Sequence, residues 1–597
     1  MTEQQNQRQV NLIYLSLLAV LIGIGTGYGA VGFRSLIGLI HNVSFNGVFS
    51  FIYDANKFTV SSPLGIWIIL VPVAGAIIVT FLVKNFAPEA KGHGVPEVMD
   101  AVYYKAGEMR PVVVVVKSIA SAISIGTGGA VGREGPIVQI GAAFASMVGG
   151  WIKLAPWQRI TLVAAGAGGG IAATFNTPLG AVLFAVELML PEISVRTFMP
   201  VALATATSTF IGRLYFGYQP SFSLPSNLVG LNHISIDMVW IFIGLGIVMG
   251  LAATLYIRAI YWSEDFFEAR IPNAYLRHII GMFIVGVIFT SLMYSFGHYF
   301  VEGVGYATIE SILNGEQSLG WMLLLLFVAK LFATSITLGA GASGGIFSPA
   351  LFLGATLGGA YGALAEHLFP AEVVSIAAFA MIGMAAMVGS ATGAVLTAII
   401  MTFEMTLDYD IVLPMVAVVA LSVGIRRFIC TENIYTLKLA RRGRNLPKSL
   451  HANMFMVRSA GDVMEENVTV LPNDMLYEDF TSRHQDYGDQ VVVSKGTHIS
   501  GVFGVDTATR TIENIRAGGV DTEPVYLGQL SFHNFMIAQH DEVMFDVISR
   551  MTRKNVNNVI VVEGKRRIPR VKNIVGIITK DRIAESVGES LTYRSEA

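Results

Sequence analysis

The sequence predicts an all-α polytopic membrane domain built on an internal repeat, followed by a small α+β domain. Three observations lead there. Of 597 residues, 53% are hydrophobic and only 14% charged, against roughly 25% charged in an average soluble protein. Three stretches, 160–186, 331–365 and 373–403, contain no Asp, Glu, Lys or Arg, and each exceeds the ~20 residues that span a bilayer as a helix. Displacing the chain on itself by 213 residues aligns three blocks without gaps. Lys117, Ala120, Ile123, Gly126 and Gly128 fall on Lys330, Ala333, Ile336, Gly339 and Gly341. Gly132, Pro136, Gly141 and Ala142 fall on Gly345, Pro349, Gly354 and Ala355. Gly170, Ala172, Ala173 and Gly180-Ala181-Val182-Leu183 fall on Gly383, Ala385, Ala386 and Gly393-Ala394-Val395-Leu396. One offset serves all three blocks and pairs two intramembrane lysines, which chance matching of Gly and Ala does not do.

Residues 1–10 are polar, and the apolar run after them is too long for the core of a removable signal. Apolar helices are expected over 11–32, 63–84, 112–125, 137–152, 159–174, 178–190, 198–215, 236–260, 276–298, 319–338, 350–366, 373–388, 392–407 and 410–425. Several are too short to cross a bilayer upright. Short, Gly- and Pro-interrupted segments point to helices that stop inside the membrane at a binding site between repeats. The halves run over about 10–195 and 236–430 of a membrane domain at 1–440. Arg426, Arg427, Arg441, Arg442, Arg444 and Lys448 crowd its end, which the positive-inside rule assigns to the cytoplasm. Residues 441–453, with Gly443 and Pro447, form a linker, and 454–597 form the second domain, in halves at about 458–525 and 530–588.

Composition excludes much else. A net charge of −2 without a basic tract gives no reason to expect nucleic acid, and the single Cys430 rules out an intrachain disulfide or a cysteine metal site. With no metal-ligand cluster and no phosphate loop ending in Lys-Ser, no enzymatic activity and no required cofactor are expected.

Chemistry concentrates in three glycine-rich turns, each ending in a proline that opens an apolar helix: Gly92-His93-Gly94-Val95-Pro96, Gly132-Arg133-Glu134-Gly135-Pro136 and Gly344-Gly345-Ile346-Phe347-Ser348-Pro349. Proline suits the first turn of a helix, glycine allows close backbone approach, and the free N–H groups at the positive dipole end favour an anion. Together the three turns point to a shared anion site. Glu134 lies in such a site and is itself an anion, so it can occupy the place of a permeant ion and swing away when protonated, which makes it a gate. Arg133 reads first as a partner or cap for nearby carbonyls.

These turns resemble the signature segments of the CLC family of chloride channels and proton-coupled chloride transporters, over nearly the whole chain. The resemblance implies antiparallel, hence inverted, repeats and a homodimer with a separate pore in each subunit. It implies that Glu134 is the external gate and that the backbone amides of Ile346 and Phe347 donate to the central anion. It also implies that the hydroxyl of Tyr435, in Asn433-Ile434-Tyr435, reaches that ion from the cytoplasmic side. Gly94, Arg133 and Gly135 belong to the same anion-binding turns. Two departures stand out. Where the family usually has an anion-binding serine, this chain has His93, whose imidazole can donate one N–H or carry charge. Coupled antiporters of the family carry an internal glutamate just after the position of Glu187, and here that residue is Leu188, which cannot hold a proton.

The tail repeats a weaker pattern. Strand-like 490–493 precedes 499–506, and strand-like 558–562 precedes 574–581. This resembles a tandem pair of CBS domains, which implies a regulatory module and sometimes adenine-nucleotide binding. Thr579 and Asp581 match the ribose contacts loosely, and Gly504 replaces the hydroxyl residue in the first copy.

The expected function is passive conduction of chloride or another small anion by a CLC-type channel gated by Glu134, in a multi-pass, lipid-embedded homodimer of a plasma or inner membrane with its tail in the cytoplasm. The alternative is an anion/proton antiporter whose proton path lacks the usual glutamate.

Overall fold

The structure, a computed structural model, describes residues 8–222, 236–368, 375–444, 446, 454–482, 490–505, 524–531, 534–564 and 570–592. Lys448, Asp506 and most of the expected linker lie outside them. The chain separates into two units, Met1–Leu446 and Pro447–Ala597.

The first unit is helical. Its elements are α1 Leu12–His41, α2 Val71–Asn85, α3 Val95–Tyr104, α4 Val112–Gly126, α5 Glu134–Trp151, α6 Pro156–Phe175, α7 Pro178–Phe184, α8 Val195–Phe216 and α9 Ile236–Arg270. They continue as α10 Ala274–Phe296, α11 Tyr306–Leu313, α12 Gly320–Ala340, α13 Phe347–Leu368, α14 Ile376–Thr392, α15 Val395–Thr406, α16 Val412–Ile429 and α17 Thr436–Arg441. Among the described residues, seven helical segments are long and apolar enough to cross a bilayer, and shorter apolar helices such as α4, α14 and α15 accompany them. Large apolar side chains of α1, such as Ile13, Leu17 and Leu21, stay exposed on its outer face, as a lipid-facing surface allows.

Local signals set the helix ends. Asn11 caps α1 by accepting from the Tyr14 amide at 2.9 Å, and α6 starts with Pro156 and stops at Asn176 in the left-handed region. The expected segments 11–32 and 236–260 prove too short: α1 continues to His41 and α9 to Arg270. The three helices that follow the glycine turns start one or two residues before their prolines. α3, α11 and α17 had no counterpart among the expected segments, being too short and too polar for a hydropathy reading.

The two halves are related by a local two-fold relation. Gly132 and Gly345, repeat equivalents, pair antiparallel and reciprocally: Gly132 N donates to Gly345 O at 2.8 Å and Gly345 N to Gly132 O at 2.6 Å. A residue that bonds its own equivalent in both directions is the signature of a two-fold axis. Lys117 donates to the carbonyls of Ala90 at 2.9 Å and Gly92 at 2.7 Å, and Lys330 does the same to Val301 at 2.9 Å and Gly303 at 2.8 Å. Each lysine thus offsets part of its own desolvation cost by fastening the loop that leads into its half's short helix, α3 or α11. Glu187, in the π-helical turn after α7, caps α15 through the amides of Leu396 and Thr397, and Glu404, in α15, caps α7 through Leu179 and Gly180. Both carboxylates therefore serve backbone groups.

In the second unit, β1 Thr469–Pro472 runs parallel to β2 Gln490–Lys495, which is antiparallel to β3 His498–Gly504. β4 Phe535–Gln539, β5 Asn558–Val562 and β6 Ile574–Thr579 repeat that arrangement. Strand alternation sends Val491 and Val493 to one core with Phe503 and Val492 to a second, where it meets Ile560, Val562 and Ile577 between the sheets. β1 and β4 escaped the sequence reading because each is only four or five residues long.

Candidate functional site

The three glycine turns meet. Besides the Gly132–Gly345 pair, Gly92 N donates to Ala342 O at 3.0 Å and Gly344 N to Gly92 O at 3.3 Å. Ser343 Oγ donates to Ala90 O at 2.6 Å and lies 2.9 Å from Ser121 Oγ. The N-termini of α3, α5 and α13 are thereby brought to one junction inside the apolar unit. Close approach demands the glycines: a Cβ on Gly135 would collide with the carbonyl of His93, and one on Gly94 would stand 2.7 Å from the carbonyl of Gly135. Gly94 also has φ +81°, a left-handed value that only glycine adopts without strain.

Glu134 opens α5 and is 1% exposed. Its Oε1 accepts from the Tyr306 hydroxyl at 2.6 Å and from Ser348 Oγ, and its Oε2 from the Ser348 amide at 3.3 Å. The Tyr306 and Ser348 hydroxyls are themselves 2.7 Å apart. The carboxylate is held by hydroxyl and amide donors, and no ion pair to it is present among the described residues. Arg133 stacks its guanidinium 5.2 Å from the ring centre of Tyr306.

Ile346 and Phe347 are buried at the start of α13. The Ile346 carbonyl accepts from the Tyr256 hydroxyl at 3.0 Å and from the Ala350 amide at 3.0 Å. Fixing that carbonyl fixes the peptide plane, so the Phe347 N–H points the opposite way. Among the described residues neither the Ile346 nor the Phe347 amide has an acceptor, a costly state for buried donors that an anion relieves.

Tyr435 is buried just ahead of α17, in a loop that Tyr261 of α9 fastens by donating to Ile434 O at 2.6 Å. Its ring centre lies 6.0 Å from that of His93. His93 is 4% exposed, and its Nδ1 has no partner among the described residues. Leu188 is buried in the π-helical turn that follows α7. Glu134, Gly135, His93, Gly94, Ile346, Phe347 and Tyr435 thus belong to one region, with Arg133 at its side. In the second unit, the Thr579 hydroxyl caps the helix Lys580–Thr592 by accepting from the Arg582 amide at 3.0 Å, and Asp581 is exposed in that helix's first turn.

Sequence reasoning missed Tyr306, Ser348 as a partner of Glu134, and Tyr256. Tyr306 was within reach. Gly92-His93-Gly94 and Gly303-Val304-Gly305 are equivalents at an offset of 211, two short of the 213 that aligns the other blocks, and Gly94 and Gly305 share φ values of +81° and +80°. An ungapped comparison passes over them.

Known proteins share this architecture. A family profile described as "Voltage gated chloride channel" matches residues 75–427. The chain is 31% identical over 450 residues to an H(+)/Cl(-) exchange transporter ClcA of Yersinia pseudotuberculosis serotype IB (strain PB1/+), covering 74% of this chain and 90% of that one. It is 32% identical over 398 residues to the H(+)/Cl(-) exchange transporter ClcA of Vibrio campbellii (strain ATCC BAA-1116), covering 65% and 83%. Among solved structures, a slow cyanobacterial Cl-/H+ antiporter superimposes with a TM-score of 0.63 at 26% identity, over 72% of this chain and 97% of that one. A eukaryotic CLC transporter superimposes with a TM-score of 0.61 at 18% identity over 96% of this chain and 98% of that one, a likeness of fold that extends through both units.

Proposed function

We propose that this integral membrane protein, which belongs to the voltage-gated chloride channel (CLC) family, exchanges a small anion, chloride first among the candidates, for protons. The observation that carries the reading is the position of Glu134. A carboxylate that takes up a proton stands in the same hydroxyl- and amide-lined junction that attracts an anion, so the two compete for one place. The named relatives ClcA exchange H+ and Cl−, which favours this reading over passive conduction. The three turns of a single chain meet in this junction, which supports a separate pore in each subunit of the homodimer that the resemblance implies.

In the exchanger, an anion reaching the junction from the cytoplasmic side passes Tyr435 and is held by the Ile346 and Phe347 amides, with no cation needed. Glu134, when ionised, fills the outer position by accepting from Tyr306 and Ser348. When protonated it loses much of its attraction for those donors and leaves the path to the anion. For the second unit we read a tandem CBS pair with a regulatory role. The exposed Asp581 is its candidate ribose contact for an adenine nucleotide, whereas Thr579 is engaged as a helix cap.

Reconstitution tests the function. In liposomes with a chloride gradient, purified protein is expected to drive protons against their own gradient, read as a change of lumenal pH alongside chloride efflux. Chloride efflux that moves no protons supports the second reading, passive conduction, which the apolar Leu188 favours.

Tyr306→Phe tests the gate's holding contacts. Each hydrogen bond to an ionised carboxylate contributes about 1.5–3 kcal/mol, and one pH unit corresponds to about 1.4 kcal/mol. Losing the hydroxyl weakens the ionised form, so the pH profile of anion flux is expected to move about one to two units toward alkaline pH. An unchanged profile would show that Ser348 alone holds the gate.

A further inference from the structure

Leu188 leaves the cytoplasmic half of the junction without an internal carboxylate, and the neighbouring ionisable groups are committed elsewhere. Glu187 accepts three hydrogen bonds, from Leu396 N at 3.0 Å, Thr397 N at 2.8 Å and Thr397 Oγ1 at 2.6 Å. Lys117 is bound to the carbonyls of Ala90 and Gly92. Glu97 of α3 is shared by Lys438 at 3.5 Å and Arg442 at 2.7 Å. Tyr435 is a phenol and stays neutral at ordinary pH.

His93 differs from all of these. Its imidazole is buried, and Nδ1 has no hydrogen-bond partner among the described residues. The ring lies beside Tyr435, while the residue's carbonyl abuts Gly135, the neighbour of Glu134. A residue whose side chain can take a proton at one nitrogen and release one from the other therefore has its ring beside Tyr435 and its backbone against the turn that carries the gate.

Resting on the exchanger reading above, we propose that His93 carries the transported proton on the cytoplasmic side of the junction, in the role the family gives to its internal glutamate. The step balances. Neutral imidazole accepts a proton that comes from the cytoplasmic solution, relayed through water, and becomes imidazolium. Imidazolium then gives a proton, through water, to the Glu134 carboxylate, leaving neutral imidazole and a carboxylic acid. The surrounding charges tie this step to the anion. Burial, and then the positive charges of Lys438 and Arg442 of the α17 region and Lys117 on α4, make a proton on the imidazole costly, while among the described residues Glu97 is engaged by Lys438 and Arg442 and Asp100 by Lys105 and Arg444. A proton arriving alone joins a cationic neighbourhood. A proton arriving while an anion rests on the Ile346 and Phe347 amides joins a balanced one, so proton uptake follows anion occupancy.

The test compares wild type with His93→Gln, which keeps an N–H donor of similar size and cannot titrate, as purified full-length protein in liposomes under a chloride gradient. The readout is the ratio of protons moved to chloride moved. Wild type must pump protons; if it does not, the exchanger reading itself fails. Given a pumping wild type, the ratio is expected to fall roughly tenfold or more in His93→Gln, and to recover when Leu188→Glu is added. A ratio in His93→Gln equal to that of wild type overturns the proposal. Should His93→Gln pass no chloride, His93→Ser is judged by the same ratio, and if neither variant passes chloride the imidazole serves the anion and the proposal is rejected.

Discussion

Glu134→Gln is expected to abolish chloride-driven proton movement, lowering it at least about a hundredfold, while chloride efflux rises and loses its dependence on pH. Glutamine has the size of the native side chain and can still meet Tyr306 and Ser348, so the junction keeps its shape. What disappears is the proton site and the negative charge that competes with chloride. The hydroxyls of Tyr306 and Ser348, both directed at the carboxylate in the native protein, then face an amide that binds them less strongly. The measurement is paired: lumenal pH and external chloride, recorded at acidic and neutral pH. Proton pumping that persists would place the proton on another group and remove Glu134 from the mechanism. Chloride efflux that keeps its native pH profile would separate the gate from the carboxylate.

Gly354→Val is expected to prevent the membrane unit from folding. Gly354 of α13 and Gly383 of α14 face each other so closely that a Cβ on either would run into the other's carbonyl, and the first would also stand 2.6 Å from the Met384 Cα. These obstacles are backbone, which cannot rotate aside. The helices must separate, and overpacking of this kind costs several kcal/mol, a large share of the roughly 5–15 kcal/mol that holds a folded protein together. α13 begins with the Ile346–Phe347 turn, so a helix displaced there also displaces the candidate anion site. Gly424→Val is the control: nothing lies within 4 Å of its added Cβ, and it is expected to cost less than about 1 kcal/mol. Yield in detergent and the symmetry of the size-exclusion peak report the difference. A monodisperse Gly354→Val protein with native yield would show that α13 and α14 can part.

Much of this architecture was legible in the sequence for a physical reason. A bilayer demands long uncharged stretches, and a duplicated site between halves demands the same glycines and lysines twice, so the three blocks ending at Leu396 stand out. The three glycine–proline turns announced themselves because close backbone contact permits few other residues. What stayed hidden was whatever depends on a partner distant in sequence. Tyr306 serves Glu134 across 172 positions, and nothing local marks its hydroxyl as directed at a carboxylate. Tyr256 fixes the Ile346 carbonyl across 90 and looks like any aromatic residue in a long apolar helix. The bounds of α1 and α9 failed because charged or polar residues near a membrane surface do not end a helix. Glu187 and Glu404 bind backbone groups more than 200 positions away, which only the fold brings to them.

The reciprocal Gly132–Gly345 bonding has a mechanical consequence. Many carriers work by rocking one half of the molecule against the other, exposing a central cavity to each side in turn. Here the halves are joined through their own main chains at the Gly132–Gly345 pair, and Lys117 fastens Gly92, which itself bonds the backbone of Ala342 and Gly344. Rocking would have to tear these bonds in an apolar interior on every cycle. The proposed exchange cycle is therefore left with small moving parts, the Glu134 side chain first among them.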